Sequence, residues 1–181
     1  AEERSHLVRE VHHRVKNNLQ LIQSLISLQQ SGVTEDHDRE ILRQTSLRVA
    51  SMSVLQHTAY QQGEASHVEL GTYLRSLMHN IADQFADDGR ELALHLELAE
   101  ASVDVDIAMP VGLILTELAS NSFIHAWKTS RPGCLSVALE VHERQAPDPA
   151  RCGRMLELRI ADEGDSSVDF ARLGLGLELV G

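Results

Sequence analysis

The stretch Glu10-Val11-His12-His13-Arg14-Val15-Lys16-Asn17-Asn18-Leu19-Gln20 decides how the chain begins to fold. Apolar residues recur through it and beyond it at spacings of three and four: Val8, Val11, Val15, Leu19, Ile22 and Ile26. A helical period gathers these positions into one stripe, so the pattern predicts a long amphipathic helix with a buried face. At about 100° per residue, His12 falls at the edge of the stripe and His13 on the opposite, polar side.

His13 is the candidate reactive side chain of this helix. An exposed histidine is most often plain solvated surface, but imidazole ionises near neutral pH and a fraction of it is always a neutral nucleophile. Glu10 at i−3 could accept a ring N–H and fix the tautomer, and Lys16 at i+3 could attract an anion. Asn17 at i+4 could hydrogen-bond a phosphoryl oxygen or an attacking water. These neighbours suit phosphate chemistry.

The longer segment HHRVKNNLQLIQSLISLQQ, residues 12–30, resembles the phosphoacceptor box of the HisKA_2, or HWE-like, histidine kinases. In that subfamily H-R-V-K-N-N-L-Q replaces the commoner H-E-x-K-N-P. Residues 47–57 and 70–77 look like the same subfamily's second dimerisation helix and its entry to the ATP-binding domain. The resemblance implies that His13 carries a phosphoryl group in the transmitter core of a two-component sensor histidine kinase.

Composition narrows the class of protein. The 181 residues are 43% hydrophobic and carry a formal net charge of −11, which argues against a nucleic-acid groove or an anionic membrane surface as partner. Cys134 and Cys152 have no zinc-ligand spacing, which indicates reduced cysteines of an intracellular protein. With no secretory leader and no bilayer-length apolar run, we expect a soluble cytoplasmic piece with a sensor upstream and a continuation after Gly181.

Two helices are predicted in the N-terminal part. The first ends near Gln30 at Ser31-Gly32, and the second runs from about Asp36 to Gln62-Gly63. The second helix has an apolar side formed by Ile41, Leu42, Val49, Met52, Leu55 and Ala59. A hairpin of two such helices cannot bury a full stripe by itself, so the pattern predicts a homodimer that forms a four-helix bundle.

Residues 63–66 mark a domain boundary, which divides the chain into a dimerisation and histidine phosphotransfer hairpin, 1–65, and a catalytic ATP-binding domain, 66–181. The second domain alternates predicted helices and strands: a helix at 70–85, a strand at 92–98, a helix at 107–127 with Pro110 in its first turn, and strands at 135–141 and 156–160. The fold class is α+β, and the resemblance implies an α/β-sandwich ATPase of the gyrase, Hsp90 and histidine-kinase type.

The predicted helix PVGLILTELASNSFIHAW, residues 110–127, places Glu117 and Asn121 on one face. Carboxylate and amide oxygens at this spacing can hold Mg²⁺, although most such surface pairs hold nothing. The segment resembles the family's N-box, which implies that Glu117 assists phosphoryl transfer and that Asn121 binds Mg²⁺, with Glu117 as a further metal candidate. His125 fits the box as well. The family usually has a phosphate-contacting Lys where this chain has Ile124.

Two glycine-containing boxes follow. Asp162-Glu163-Gly164 resembles the D-x-G box, which implies that Asp162 accepts the adenine amino proton and that Gly164 lets the backbone approach the ring. Ser166 stands where the family usually has another glycine. Gly174 and Gly176 resemble the last glycine box, whose backbone amides hold phosphates.

The leading interpretation is a kinase that binds ATP and Mg²⁺, phosphorylates His13 and passes the phosphoryl group to an aspartate of a response regulator receiver domain. An alternative is a histidine phosphotransferase or pseudokinase with a degenerate ATP domain, which relays phosphoryl groups between receiver domains. A histidine-rich metal protein is disfavoured, because His12 and His13 point apart and neither has a histidine at i+4. A purely structural dimerisation hairpin is the simplest alternative.

Overall fold

The computed structural model describes residues 2–61, 66–86, 92–126, 133–144 and 153–162. The helices are α1 Glu2–Gly32, α2 Asp36–Gln61, α3 Leu70–Ala86 and α4 Val105–Asn121, the last followed by a π-helical turn, Ser122–Ala126. The strands are β1 His67–Glu69, β2 Leu92–Leu98, β3 Ser102–Asp104, β4 Gly133–Arg144 and β5 Gly153–Asp162. The α+β fold class predicted from the sequence is confirmed.

Helices α1 and α2 form the predicted hairpin. Only residues 33–35 separate them, which makes the helices antiparallel neighbours. The Arg39 guanidinium donates a hydrogen bond to the Val33 carbonyl at 3.1 Å and ties the start of α2 to this loop. On α1, Ile26 is buried and Leu19 half-buried, as the apolar stripe predicts. Ile22 departs from the prediction because 42% of its surface stays exposed.

The main sheet has the strand order β2-β4-β5, with β2 parallel and β5 antiparallel to β4. Leucine and valine side chains alternate toward the helices, and Leu135, Val137 and Leu139 of β4 are fully buried. This mixed sheet confirms the three predicted strands. Strands β1 and β3 pair with each other in a separate two-stranded sheet, and at three residues each they are too short to show a period in the sequence.

One hydrophobic core joins the hairpin to the remainder of the chain. Its members come from α2, α3, α4 and β4, and include Leu47, Leu55, Ala59, Leu74, Leu77, Ile81, Leu115, Ala119, Leu135 and Val137. Residues 62–65, where the domain boundary is predicted, lie outside the described residues, and the boundary stays a prediction. The hydrophobic core contains residues from both before and after this predicted boundary.

Tyr73 of α3 lies at the centre of this core. Its hydroxyl donates a hydrogen bond to the Ser51 carbonyl of α2 at 3.4 Å, and burial raises the pKa of Tyr73. A Cβ built on Gly112 of α4 would lie 1.8 Å from the Tyr73 hydroxyl oxygen. Position 112 must therefore be glycine for the three helices to pack at this distance.

Helix α4 begins two residues before the predicted start, because β3 runs directly into it and the Val105 N–H donates to the Ser66 carbonyl at 3.0 Å. Pro110 consequently lies inside the helix rather than in its first turn, so it cannot donate the usual bond to the Asp106 carbonyl. The α-helix also ends earlier than predicted, at Asn121, and continues as the π-helical turn.

Among the described residues, one segment is long and apolar enough to pass a test for crossing a membrane, 105–124, with a mean hydropathy of 1.4. This segment is α4 and the start of the π-helical turn. Its buried face packs into the core through residues such as Leu115 and Ala119, so its composition is that of a core helix.

Glu69 fixes the start of α3. Its carboxylate accepts the N–H groups of Gly71 at 3.0 Å and Thr72 at 2.5 Å, which caps the helix, and the N–H of Ala101 at 2.9 Å. Burial alone would raise the pKa of Glu69, but these hydrogen bonds outweigh it and hold the pKa below its ordinary value. The cap thus also ties α3 to the loop that precedes β3.

Candidate functional site

The C-terminal end of α4 meets the C-terminal end of β5. Asn121 is the last residue of α4 and is half-buried, and Asp162 is the last residue of β5. Between them the buried Ser122 hydroxyl donates a hydrogen bond to Asp162 Oδ2 at 2.8 Å. The predicted magnesium ligand and the predicted adenine acceptor are therefore held at one corner of the fold by the residue that follows Asn121.

The turn that carries Ser122 is a π-helix, a wide form that occurs mostly as single turns and often at functional sites. Behind it, the rings of Phe123 and Phe85 lie 4.5 Å apart, and the Arg43 guanidinium of α2 lies 4.1 Å from the centre of the Phe85 ring. These aromatic and cation–π contacts fix the turn against α3 and α2.

Glu117 lies one helical turn before Asn121, as the spacing predicts. Arg48 Nε of α2 donates a hydrogen bond to Glu117 Oε1 at 2.5 Å. The Glu117 side chain is 21% exposed and that of Arg48 46%, so the pair lies at the edge of the interface between α2 and α4. The candidate catalytic carboxylate is thus engaged by the helical hairpin.

Ile124 and His125 belong to the same π-helical turn. Ile124 is half-buried and packs against the hydrophobic core, and its apolar side chain has no group that could donate to a phosphate. The side chain of His125 lies outside the described residues, as do Gly164, Gly174 and Gly176. Their roles stay predictions.

His13 and Glu10 both lie in α1, and their side chains are outside the described part of the chain. Asn17 and Lys16 are exposed on the same helix. Lys16 lines a groove of about 440 Å³ between α1, α2 and α3, together with residues of α2 that include His57. Helix α4 contacts the hairpin through α2, and the position of the His13 side chain relative to Glu117 stays outside the described residues.

Arg48 and Ser122 were missed by the sequence analysis. Arg48 lies inside the segment that resembles the second dimerisation helix, but its partner is 69 residues away, and no local pattern can indicate such a pair. For Ser122 the sequence holds only a weak signal: the residue directly follows Asn121, the predicted metal ligand, at which α4 ends.

The donor atoms at this corner suit a magnesium nucleotide. The Asn121 amide and Glu117 carboxylate are hard oxygen ligands, which Mg²⁺ prefers, and the Asp162 carboxylate can accept from an amino group. Arg48 occupies Oε1 of Glu117 and so competes with a metal for that oxygen. These are the donor and acceptor types that an adenine nucleotide with Mg²⁺ would need, and a nucleophile for phosphoryl transfer would have to come from elsewhere in the chain.

The class of protein follows from a family match. Residues 10–85 match the family HisKA_2, described as histidine kinase. The match runs from the stretch around His13 through α2 to the end of α3. The match covers the segment on which the sequence resemblance rests, and it supports that resemblance.

Particular relatives agree with that class. The chain is similar to the sensor histidine kinases PdtaS of Mycolicibacterium smegmatis and of Mycobacterium tuberculosis H37Rv, with 27% identity over 158 residues, which is 87% of this chain and 29% of each relative. It is also similar to blue-light-activated histidine kinase 2 of Erythrobacter litoralis, with 26% identity over 86% of this chain and 42% of that protein. The chain spans less than half the length of these relatives.

Solved structures support the fold. The histidine kinase domain of the Erythrobacter litoralis EL346 blue-light activated histidine kinase superposes with a TM-score of 0.57 at 24% identity, covering 93% of this chain and 75% of that one. A longer form of EL346 superposes with a TM-score of 0.55 at 23% identity, covering 91% of this chain and 46% of that one. The architecture is that of a histidine kinase domain.

Proposed function

We propose that the chain is the core of a two-component sensor histidine kinase that uses ATP to phosphorylate His13 and passes the phosphoryl group to an aspartate of a response regulator receiver domain. The observation that carries the proposal is the corner where Asn121, Ser122 and Asp162 meet, in a chain whose residues 10–85 match a histidine kinase family.

In this proposal each residue of the corner has a separate task. Asp162 accepts a hydrogen bond from the adenine amino group, and Ser122 fixes the orientation of its carboxylate. Asn121 would hold Mg²⁺ through its amide oxygen, which would supply charge neutralisation at the phosphates. A ring nitrogen of His13 attacks the γ-phosphorus, a P–N bond forms, and the bond to the β-phosphate oxygen breaks to release ADP. Such transfer depends mostly on positioning and charge neutralisation.

Glu117 assists the transfer in this proposal, and Arg48 of α2 holds one of its carboxylate oxygens. Release of this ion pair would free that oxygen for the transfer, so we assign the pair to a resting arrangement. An ion pair at this level of exposure contributes roughly 0.2 to 1 kcal/mol, which thermal motion and nucleotide binding can overcome.

The same proposal includes a homodimer. Leu21, Leu25 and Leu28 of α1 are 60%, 52% and 70% exposed and lie one turn apart on a face separate from that of the buried Ile26. A second copy of the hairpin would cover this face and form a four-helix bundle. The net charge of −11 supports a protein partner rather than a nucleic acid, and a cytoplasmic location suits both ATP and a receiver domain.

The test is autophosphorylation of the full-length protein with γ-labelled ATP and Mg²⁺. An acid-labile, base-stable label is expected in the native protein and in His12→Ala, which is the matched control for the neighbouring histidine. His13→Ala should lose the label because the acceptor is gone, and Asn121→Ala should lose it because the metal ligand is gone. Label that persists in His13→Ala would contradict the proposal.

A second candidate is the histidine phosphotransferase. Ile124, packed in the core where the family usually has a phosphate-contacting Lys, favours it. In that case ATP gives no label, whereas a phosphorylated receiver domain labels the native protein and fails to label His13→Ala.

A further inference from the structure

The outer face of the main sheet, opposite the core and Asp162, carries three ligand-type side chains. Glu140 of β4 and Glu157 of β5 are direct partners in the antiparallel register. His142 lies two residues after Glu140 and so projects from the same face. Two carboxylates directly opposite each other repel, which makes this pairing unfavourable unless a positive charge lies between them.

The three side chains converge on one point. His142 Nε2 lies 3.3 Å from Glu140 Oε2 and 3.2 Å from Glu157 Oε2, and the three donor atoms all lie within 4.8 Å of one another. Nε2 is buried from water and makes no hydrogen bond of acceptable geometry. In a neutral imidazole with its proton on Nδ1, the Nε2 lone pair would face two anionic oxygens, an arrangement that calls for a cation.

Arg159 holds the two carboxylates from the other side. Its Nη1 lies 3.3 Å from Glu140 Oε1, and its Nε lies 2.7 Å from Glu157 Oε1. Each carboxylate thus uses one oxygen for the guanidinium and turns the other toward His142. The hydrogen bond from Arg159 lowers the pKa of Glu157. Partners of this kind orient metal ligands in proteins.

We propose that Glu140, His142 and Glu157 bind a divalent transition metal, with Zn²⁺ as the best fit, at a site separate from the nucleotide corner. A tetrahedral zinc with bonds of about 2.0 to 2.1 Å has ligand-to-ligand edges of about 3.3 to 3.4 Å. The two measured nitrogen-to-oxygen distances, 3.3 Å and 3.2 Å, are close to that edge. An imidazole with two carboxylates suits Zn²⁺ better than Mg²⁺ or Ca²⁺, which prefer oxygen ligands only.

Without metal, Nε2 can carry a proton, in the neutral Nε2–H tautomer or in the imidazolium, and that proton would face the two carboxylates. The proton and the metal compete for the same nitrogen, so Zn²⁺ affinity should fall as the pH is lowered. Among the described residues, the charged groups in contact with the site are Glu140 and Glu157, with Arg159 on their other oxygens, and Glu97 of β2 projects from the same face of the sheet.

The test is Zn²⁺ binding by the full chain without nucleotide, measured by competition with a chromogenic chelator. His142→Ala and Glu157→Gln should each lose one equivalent of Zn²⁺ or bind it at least tenfold more weakly. His95→Ala is the matched control, because His95 is exposed on β2 of the same sheet, and it should bind as the native protein does. Binding equal to native in both His142→Ala and Glu157→Gln would overturn the site.

Two further measurements guard against misfolding and against binding by other histidines. Without metal, the native protein and His142→Ala should unfold at the same temperature, and added Zn²⁺ should raise that temperature more for the native protein. Co²⁺ used as a second probe should give the intense visible absorption of a four-coordinate site, absent in His142→Ala. None of these readouts depends on kinase activity, so failure of the zinc site leaves the proposed function unaffected.

Discussion

The helical hairpin, α1 and α2, and the α/β region, α3 to α4 with the strands, differ in how much apolar surface they expose to solvent. In α3, Leu74, Leu77 and Ile81 are completely buried. In α1, by contrast, Leu21, Leu25 and Leu28 leave more than half of their surface exposed. Helix α3 thus buries its apolar face in the core that it shares with α2, whereas α1 leaves this apolar face open to solvent. The difference agrees with the proposal that the hairpin carries the dimer contact.

The largest expected effect is on assembly. Replacing Leu21, Leu25 and Leu28 together by serine should weaken dimerisation more than 100-fold, since burying each leucine contributes roughly 1.5 to 3 kcal/mol. Sedimentation equilibrium measures the dissociation constant. Ile107→Ser, at a comparably exposed apolar residue of α4, is the control and should leave it unchanged. Equal dissociation constants for the triple variant and the native protein would remove α1 as the dimer surface.

The next effect is on the junction of the two regions. Gly112→Ala should destabilise the protein by about 1 to 3 kcal/mol, because the new methyl group overlaps Tyr73. Urea unfolding measures the loss. Gly32→Ala is the matched control, since a Cβ there meets nothing within 4 Å. In the double variant, Tyr73→Phe removes the hydroxyl and should restore part of the free energy of unfolding lost by Gly112→Ala. If the effects of the two substitutions simply add, the overlap is not the cause of the loss.

A smaller effect is expected at Glu69, inside the α/β region. Glu69→Gln should cost about 1 kcal/mol near pH 7, as the loss of a helix cap does. Because the folded pKa of Glu69 is depressed, its contribution is present above the unfolded pKa of 4.5 and is lost as the pH falls through the folded pKa. The difference between native and variant should therefore shrink on acidification. Glu100→Gln, at an exposed neighbour, should show no such dependence.

The smallest effect on stability is expected at Arg48. Arg48→Ala should cost no more than about 1 kcal/mol, since the ion pair is partly exposed. Its effect on activity is the sharper test, because release of Glu117 should raise the initial rate of His13 phosphorylation several-fold. Glu117→Gln, which breaks the same ion pair without freeing a carboxylate, is the control and should lower the rate. A rate for Arg48→Ala as low as that of Glu117→Gln would mean that Arg48 positions the carboxylate instead.

Sequence patterns were most informative where they were long. The two hairpin helices, α3 and the three main strands follow from apolar periods sustained over many residues. Strands β1 and β3 and the π-helical turn are too short to produce a period, and the turn depends on contacts with Phe85. Glu117 and Asn121 do lie one turn apart on α4, as their spacing predicts. The pair of Arg48 with Glu117 and the hydrogen bond of Ser122 to Asp162 depend on tertiary packing, which no local sequence pattern encodes.

The shared core also has a consequence for anyone who divides or recombines this protein. Leu47, Leu55 and Ala59 of α2 are almost completely buried, although they precede the predicted boundary at residue 65. An excised hairpin would expose these apolar side chains to water, which favours aggregation. The remaining piece would lose the part of its hydrophobic core that α2 contributes. A single calorimetric transition is therefore expected for the intact chain, and chimaeras joined at residue 65 would need a compatible α2 from the same parent.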